Sequence, residues 1–258
     1  MSWPRRQRPL FSPSLDSTGL IETVDITGST NADLAARLAA GEQIAEDFWL
    51  IADRQSAGRG RQGRVWFDGA GNFMGSAVVR LDPGDSAPGT LALLAGLVVH
   101  EVVTNRLPPP QRAVLKWPND VMIGSAKLAG ILLERVGDRV IIGIGVNLAA
   151  APQLPDRATI ALTAFGPAPD RDQFANDLAR QFSAELERWR SYGLGPVIAR
   201  WLAAGHPIGT PLEVGEPDEQ KLAGTFAGLT EDGALQLRLA DGTCHVFHAG
   251  EVRLADRN

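Results

Sequence analysis

Four short apolar segments lie close together between residues 114 and 147, and they constrain the fold more than any other feature of the chain. The segments are Val114–Trp117, Asp120–Ile123, Lys127–Arg135 and Arg139–Asn147. Gly124-Ser125 and Gly137-Asp138 supply turn residues between the later segments. Because connections this short can join antiparallel strands but not parallel ones, the sequence predicts an antiparallel meander here.

Helix and strand signals alternate along the rest of the chain to about residue 205. Thr30-Asn31-Ala32-Asp33 has the spacing of a capping box, which predicts a short helix that ends at Gly41. Apolar patterns predict strands at Phe48–Ala52 and Phe73–Leu81 and helices at Thr90–Leu107, Arg171–Tyr192 and Val197–Ala204. The core stripe predicted for the second of these helices is Phe174, Leu178, Phe182, Leu186 and Trp189. Interleaving of this kind indicates an α/β or an α+β fold.

The pattern changes after Gly209-Thr210-Pro211 to short alternating runs that are broken by glycines. Such runs predict a small β-barrel of roughly 50 residues. We therefore divide the chain into an N-terminal tail at 1–20, a main domain at 21–207 and a small C-terminal barrel domain at 208–258.

The charge and cysteine content exclude several classes of function. A net charge of −5 and a pI near 5.4 argue against a broad surface for nucleic acid. Cys244 is the only cysteine, which excludes an internal disulfide and any metal site built from several cysteines. The basic N-terminus is not followed by a sustained apolar stretch, so we predict no signal peptide, no membrane span and a cytoplasmic location.

A loop at residues 58–64 reads Gly-Arg-Gly-Arg-Gln-Gly-Arg and is followed by Val65 and Trp66. Glycine lets a backbone approach a ligand closely, and arginine offers a permanently charged fork that suits phosphate or carboxylate. The loop is therefore suited to fold around an anion, although a solvated basic turn would have the same composition.

Three further motifs follow this loop in order. They are Lys116-Trp117-Pro118-Asn119-Asp120, Lys127-Leu128-Ala129-Gly130-Ile131-Leu132-Leu133-Glu134 and Gly143-Ile144-Gly145-Val146-Asn147-Leu148. Together with the arginine loop they resemble the catalytic domain of biotin–protein ligases, from about Ser29 to Asn147 and more loosely to the C-terminus. The resemblance is specific because four separated motifs agree in order and spacing.

The resemblance implies an α+β fold, in which a mixed, largely antiparallel sheet is flanked by helices and a small SH3-like β-barrel follows. It implies an enzyme that joins biotin to AMP, with biotin and ATP as substrates and Mg²⁺ on the polyphosphate. The biotinyl group would then pass to one lysine of a biotin carboxyl carrier protein domain. The 28 residues before Ser29 are too few for a three-helix DNA-binding module, so no DNA binding is expected.

The resemblance also implies roles for individual residues. The catalytic set is Lys127, Arg59, Arg61 and Asp120. The biotin-binding set is Ser29, Thr30, Asn31, Gln55, Gly58, Arg59, Gly60, Arg61, Lys127 and Gly130. The ATP-binding set is Arg61, Arg64, Trp66, Lys116, Asn119 and Asn147. The segment from Ala149 to Phe165 is expected to form a second flexible loop that closes over the adenine.

Ordinary structural roles remain open for several of these residues. Ser29 or Thr30 can cap the first helix, Gly58 and Gly130 can be turn or bulge glycines, and Lys127 can be a strand-end lysine in solvent. The four histidines, His100, His206, His245 and His248, lie far from the motifs in sequence and show no metal-ligand spacing, so we predict no metal site in the protein.

Two other functions are also compatible with the sequence. One is a lipoate or octanoate ligase or transferase of the same fold class, and the other is a biotin-binding sensor without catalysis. A homodimer is also possible, formed if the strand Arg139–Asn147 lies at a sheet edge and pairs with a second subunit.

Overall fold

A computed structural model describes residues 20–215 and 221–255, so that the predicted tail at 1–20 lies outside the described residues except for Leu20. The larger sheet has seven strands in the order β1-β2-β3-β7-β6-β5-β4. Its strands are β1 Ile21–Thr27, β2 Trp49–Gln55, β3 Phe73–Arg80, β4 Ala113–Lys116, β5 Asp120–Ile123, β6 Ala126–Val136 and β7 Arg139–Val146. The helices are α1 Thr30–Ala39, α2 Leu91–Thr104, α3 Arg171–Tyr192 and α4 Gly195–Ala204.

The predicted meander is confirmed. Strands β4 to β7 pair antiparallel with their neighbours, and Lys116 lies directly opposite Asp120 across the first of these pairs. Gly124 and Gly137 have φ values of 58° and 61°, a conformation that glycine adopts without strain in tight turns. The short turns bring the three motifs of residues 116–147 onto neighbouring strands.

Strand β1 was not predicted from the sequence. It pairs parallel with β2 at the edge of the sheet, and its burial does not alternate as it does in a strand with one solvent face. The other edge strand, β4, pairs only with β5 apart from a bridge between Leu115 and Gly205.

The strand considered as a possible dimer contact is not an edge strand. β7 is paired along its length with β3 on one side and with β6 on the other, so its backbone has no free edge for a second subunit. The prediction of pairing through Arg139–Asn147 is therefore wrong. An apolar run that is buried on both faces is typical of a central strand.

The predicted capping box at the start of α1 is also wrong. Ser29 is the N-cap residue, and its side chain makes no capping hydrogen bond. Thr30 Oγ1 instead lies 2.6 Å from Ser76 Oγ on β3, and the Asp33 carboxylate accepts a hydrogen bond from Thr27. Partners on the sheet have replaced the local partners that the spacing suggested.

The core lies between the sheet and helices α2, α3 and α4. The five residues of the predicted stripe on α3 are all buried, which confirms this stripe as core. The Trp49 ring of β2 packs edge-on against Phe182 with ring centroids 5.5 Å apart, a favourable geometry for aromatic pairs. None of the helices within residues 20–215 and 221–255 is long and apolar enough to cross a membrane.

The C-terminal part forms a second sheet of five strands, all antiparallel, in the order β11-β10-β9-β8-β12. The strands are β8 Pro211–Gly215, β9 Leu222–Leu229, β10 Leu235–Arg238, β11 Cys244–Phe247 and β12 Glu251–Leu254. Trp117 Nε1 donates a 3.1 Å hydrogen bond to the carbonyl of Gly233, which ties this sheet to the motif that begins at Lys116. The α+β class is confirmed, and the SH3-like closure of the small sheet stays a prediction.

Candidate active site

A cavity of about 760 Å³ opens on the face of the larger sheet, within the size range of small-molecule sites. The arginine loop, the segment at 152–159 and strand β12 form its other walls. The predicted site residues that line it are Ser29, Thr30, Asn31, Gln55, Arg59, Gly60, Arg61, Arg64, Trp66, Lys116, Asn119, Asp120, Lys127, Gly130 and Asn147. Residues from the first helix to the end of the meander therefore converge on one cavity.

Gly58 is the predicted site residue that the cavity lining does not include. A Cβ atom at this position would lie only 3.0 Å from the Trp66 carbonyl oxygen, a tight contact that favours glycine. The loop's own backbone accounts for this glycine, and a contact of Gly58 with ligand stays a prediction.

A cluster of charged groups occupies one end of the cavity. Lys127 Nζ lies 2.6 Å from Asp120 Oδ1, and Lys116 Nζ lies 3.5 Å from Asp120 Oδ2. Burial acts to raise the pKa of Asp120, but the positive charges of Lys127 and Lys116 outweigh it and hold that pKa below its usual range. Asp120 is therefore ionised near neutral pH, and its one negative charge faces two positive charges.

The three arginines of the loop are held by three different parts of the protein. Arg61 donates to Asn119 Oδ1 at 3.1 Å and to the carbonyl of Gly250 at 3.3 Å. Arg64 forms an ion pair with Glu251 of β12, and Arg59 lies 3.6 Å from Glu134 of β6. The loop thus carries three guanidinium groups at the rim of the cavity, two of them attached to the C-terminal sheet.

A buried chain of polar side chains lies at the opposite end. Thr30 N donates to Gln55 Oε1 at 2.8 Å, and Thr30 Oγ1 lies 2.6 Å from Ser76 Oγ. Ser76 donates to Asn31 Oδ1 at 2.6 Å, and Asn31 Nδ2 donates to Glu134 Oε2 at 2.7 Å. Donors and acceptors are therefore fixed by one another in a buried part of the cavity wall.

The Trp66 ring covers the strands between these two ends. A Cβ atom at Gly145 would overlap the indole ring, and one at Gly130 would lie 3.1 Å from it. Lys127 Nζ lies 5.7 Å from the ring centroid, within cation–π range. Gly143 has a similar role, because a Cβ atom there would collide with the Asn31 amide. The glycines of β6 and β7 make room for side chains of this site.

The segment predicted to be a second flexible loop is attached to β6 through backbone hydrogen bonds. Lys127 N donates to the carbonyl of Ala158 at 2.9 Å, and Ile160 N donates to the carbonyl of Lys127 at 3.0 Å. Asn147 Nδ2 donates to the carbonyl of Ile160 at 3.1 Å. The backbone of Lys127, the candidate catalytic lysine, is therefore hydrogen-bonded directly to this segment.

Asn72 fastens the start of the same segment. Its Oδ1 accepts hydrogen bonds from the backbone of Ala149 at 2.9 Å and Ala150 at 3.0 Å, and its Nδ2 donates to the carbonyl of Ala150 at 2.8 Å. The side chain is 1% exposed, so these backbone groups have little access to water as a substitute.

We expect Asn72→Ala to open this segment and to speed tryptic cleavage after Arg157 by about tenfold, because three hydrogen bonds are lost at once. The measurement is limited proteolysis with mass spectrometry of the fragments. Asn176→Ala on the exposed face of α3 is the matched control. Equal cleavage rates in the two variants would show that Asn72 does not hold the segment.

Several residues at the site were missed by sequence reasoning. Ser76 and Glu134 complete the polar chain, and Glu251 pairs with the loop arginine from far along the chain. A polar residue inside an apolar strand was a usable signal for Ser76 and Glu134. No comparable signal marked Glu251, because its partner is 187 residues earlier in sequence.

His206 lies beside one of the motifs in space, although it is far from all of them in sequence. The bridge between Leu115 and Gly205 is parallel, so the next residues, Lys116 and His206, are neighbours. Burial and the charge of Lys116 lower the pKa of His206. Within the described ranges, no group of three or more His, Cys, Asp or Glu side chains could hold a metal ion.

Comparisons with known proteins show the family of the chain. Residues 27–147 match the model of the biotin/lipoate A/B protein ligase family, and residues 208–254 match the biotin protein ligase C-terminal domain. The chain is 37% identical to a biotin–[acetyl-CoA-carboxylase] ligase of Paracoccus denitrificans, over 88% of this chain and 97% of the relative. It is 39% identical to the protein of the same name from Mycobacterium tuberculosis, over 90% and 88% of the two chains.

Solved structures show the same fold. The biotin protein ligase of Aquifex aeolicus in complex with biotin and ATP has a TM-score of 0.80 and 24% identity, and covers 92% of this chain and 99% of its own. A biotin protein ligase of Leishmania major in complex with biotin has a TM-score of 0.58 and 27% identity, over 89% and 98% of the two chains.

Proposed function

The chain belongs to the biotin/lipoate A/B protein ligase family and is a ligase, and we propose that it activates biotin with ATP and attaches it to a carrier protein. In the first step a biotin carboxylate oxygen attacks the α-phosphorus of ATP, and pyrophosphate leaves. In the second step the ε-amine of a lysine in a biotin carboxyl carrier protein domain attacks the acyl carbon, and AMP leaves. The products are a biotinylated lysine, AMP and pyrophosphate.

The observation that carries this proposal is the division of the cavity into a cationic end and a polar end. The first step brings two anions together, which requires fixed positive charge where the new bond forms. Lys127, Lys116 and Arg61 supply that charge around Asn119 and Asp120. In this assignment Lys127, Arg59 and Arg61 contact the carboxylate and α-phosphate, and Arg64, Trp66, Lys116, Asn119 and Asn147 contact the nucleotide.

The polar end suits the ureido ring of biotin. That ring presents one carbonyl acceptor and two N–H donors, and it needs a partner for each once water is excluded. Thr30 and Gln55 are oriented to serve both kinds of group, together with Ser29 and Asn31 at the same wall. The remaining contacts are assigned to the backbone of Gly58, Gly60 and Gly130.

Asp120 has a proposed role in the second step. Its carboxylate already holds two ammonium groups, which is the environment that an incoming lysine amine would also require. We assign it to orient that amine toward the acyl carbon. Removing water from the cavity protects the mixed anhydride until the amine arrives.

Mg²⁺ enters this scheme as part of the substrate. Both oxygens of Asp120 face lysines, and the part of the chain that the structure describes offers no acidic cluster for a resident ion. The proposal therefore places Mg²⁺ on the polyphosphate of ATP, and assigns no protein ligand to it.

The proposed domain roles follow the two sheets. Residues 21–207 would carry the catalytic domain, and the C-terminal sheet would contribute the two contacts that hold the arginine loop. No DNA binding is part of the proposal, and a cytoplasmic location stays a prediction.

The test is a pyrophosphate-release assay with ATP and Mg²⁺, run in parallel with biotin, lipoate and octanoate. Intact-mass analysis of a carrier domain added to each reaction reports the second step. We expect release and an acyl adduct with biotin alone. Turnover with lipoate or octanoate would show that the protein is instead a lipoate or octanoate ligase or transferase. Tight biotin binding without turnover would indicate a sensor.

A further inference from the structure

We propose that Glu134 is a positioning residue that sets the direction of the side-chain hydrogen bonds linking Asn31, Ser76 and Thr30 in the polar end of the cavity. This inference rests on the proposed function, because it concerns how the ureido ring is recognised. Glu134 belongs to β6 and makes no contact with the cationic cluster of Lys116, Asp120 and Lys127.

The direction of these hydrogen bonds follows first from the chemistry of the Glu134 carboxylate. An ionised carboxylate can only accept hydrogen bonds, so Asn31 must turn its NH₂ group toward Glu134 Oε2, at 2.7 Å. The amide oxygen of Asn31 then faces Ser76, which donates its single hydroxyl hydrogen to it at 2.6 Å. Without an acceptor at Glu134, the two ends of the Asn31 amide become interchangeable.

The fixed orientation of Asn31 in turn fixes the donor and acceptor roles of the Ser76 and Thr30 hydroxyl groups. Ser76 has used its hydrogen, so it must accept from Thr30 Oγ1 at 2.6 Å. Thr30 has then used its own hydrogen and presents only lone pairs to the cavity. The Thr30 hydroxyl has one hydrogen and donates it to Ser76. It therefore does not also donate to Gln55 Oε1, which lies 3.3 Å away.

Gln55 completes the arrangement. Its Oε1 accepts from the backbone of Thr30 at 2.8 Å, which leaves Nε2 as the donor end of the amide. No side chain or backbone group within residues 20–215 and 221–255 accepts a hydrogen bond from that nitrogen. The cavity wall therefore offers an acceptor at Thr30 and a donor at Gln55, the complement of a ring with N–H and C=O groups.

Close packing keeps these groups in place. Thr30, Asn31, Ser76 and Gln55 are all buried, and the Asn31 amide lies directly on the backbone of Gly143. Glu134 Oε1 faces Arg59 at 3.6 Å, so the same carboxylate also joins this wall to the arginine loop. The pair with Arg59 is half-exposed, and we expect it to contribute less than the bond to Asn31.

Two variants separate these contributions. Glu134→Gln keeps an oxygen that can accept from Asn31, whereas Glu134→Leu keeps similar bulk without any acceptor, and both remove the ion pair with Arg59. The difference between them therefore reports the hydrogen bond to Asn31. Glu187→Leu, on the exposed face of α3, is the matched control.

The measurements are biotin binding by calorimetry without ATP, the KM for biotin and for ATP, and the melting temperature. We expect Glu134→Leu to weaken biotin binding and to raise the biotin KM by about tenfold, and Glu134→Gln by less than about threefold. Both variants lose the same ion pair with Arg59, so any change in kcat or in the ATP KM should be equal in the two.

Equal biotin affinity in Glu134→Leu and wild type would overturn the proposal. So would equal losses in the Leu and Gln variants, or a fall in melting temperature with unchanged affinity of the folded protein. A wild-type protein that binds no biotin would instead contradict the proposed function, so that the two failures are distinguishable.

Discussion

Lys127→Ala is expected to slow biotin-dependent pyrophosphate release by about 10²–10³-fold, because it removes a fixed positive charge from the reacting centre. Lys127 lies at the start of β6 with its ammonium group against Asp120 and beside the Trp66 ring. The charge that accumulates when a carboxylate attacks a phosphate is expected to be largest in the transition state. The loss should therefore appear mainly in kcat.

The chain provides a matched control for this variant. Lys221-Leu222-Ala223-Gly224 repeats the four residues that begin at Lys127, but Lys221 precedes β9 of the second sheet and does not line the cavity. Lys221→Ala should turn over at the wild-type rate. If both variants retain full activity, Lys127 is not a catalytic residue and the Lys-Leu-Ala-Gly motif does not by itself indicate a catalytic role.

Asp120→Ala is expected to lower the free energy of unfolding by about 3 kcal/mol, because it leaves two partly buried ammonium groups without their counter-ion. The side chains of Lys116, Lys127 and Asp120 are 21%, 18% and 13% exposed, so water can replace the lost carboxylate only in part. Urea titration at neutral pH measures the change. Asp25→Asn on the exposed face of β1 is the control.

The effect of Asp120 should depend on pH with a defined sign. The pKa of this carboxyl is lowered in the folded protein, so its stabilisation is present above the ordinary value of about 3.9 and is lost as the pH falls through the lowered pKa. The difference between wild type and Asp120→Asn should be full near pH 7 and shrink below about pH 4. A difference that stays constant across this range would mean that the carboxylate and the lysines are not coupled.

Local patterns in the sequence determined most of the elements, whereas the candidate site residues came from the resemblance of four motifs to a known family. The meander from β4 to β7 follows from apolar runs and two glycine turns, and the core stripe of α3 follows from its helical spacing. These features depend on residues within a few positions of one another, so periodicity and turn chemistry are sufficient to predict them. The motifs also named residues that now share one cavity, although their chemical roles remain predictions.

Tertiary structure alone decided which residues are neighbours over long separations. It placed β7 in the centre of the sheet, gave Thr30 a partner on β3 in place of a helix cap, and brought His206 beside Lys116. It also joined Arg64 to Glu251 and Asn31 to Glu134. Each of these contacts depends on how sheets and helices pack, because packing decides which partners lie within hydrogen-bond distance of a polar group. The spacing of residues along the sequence does not by itself predict these long-range partners.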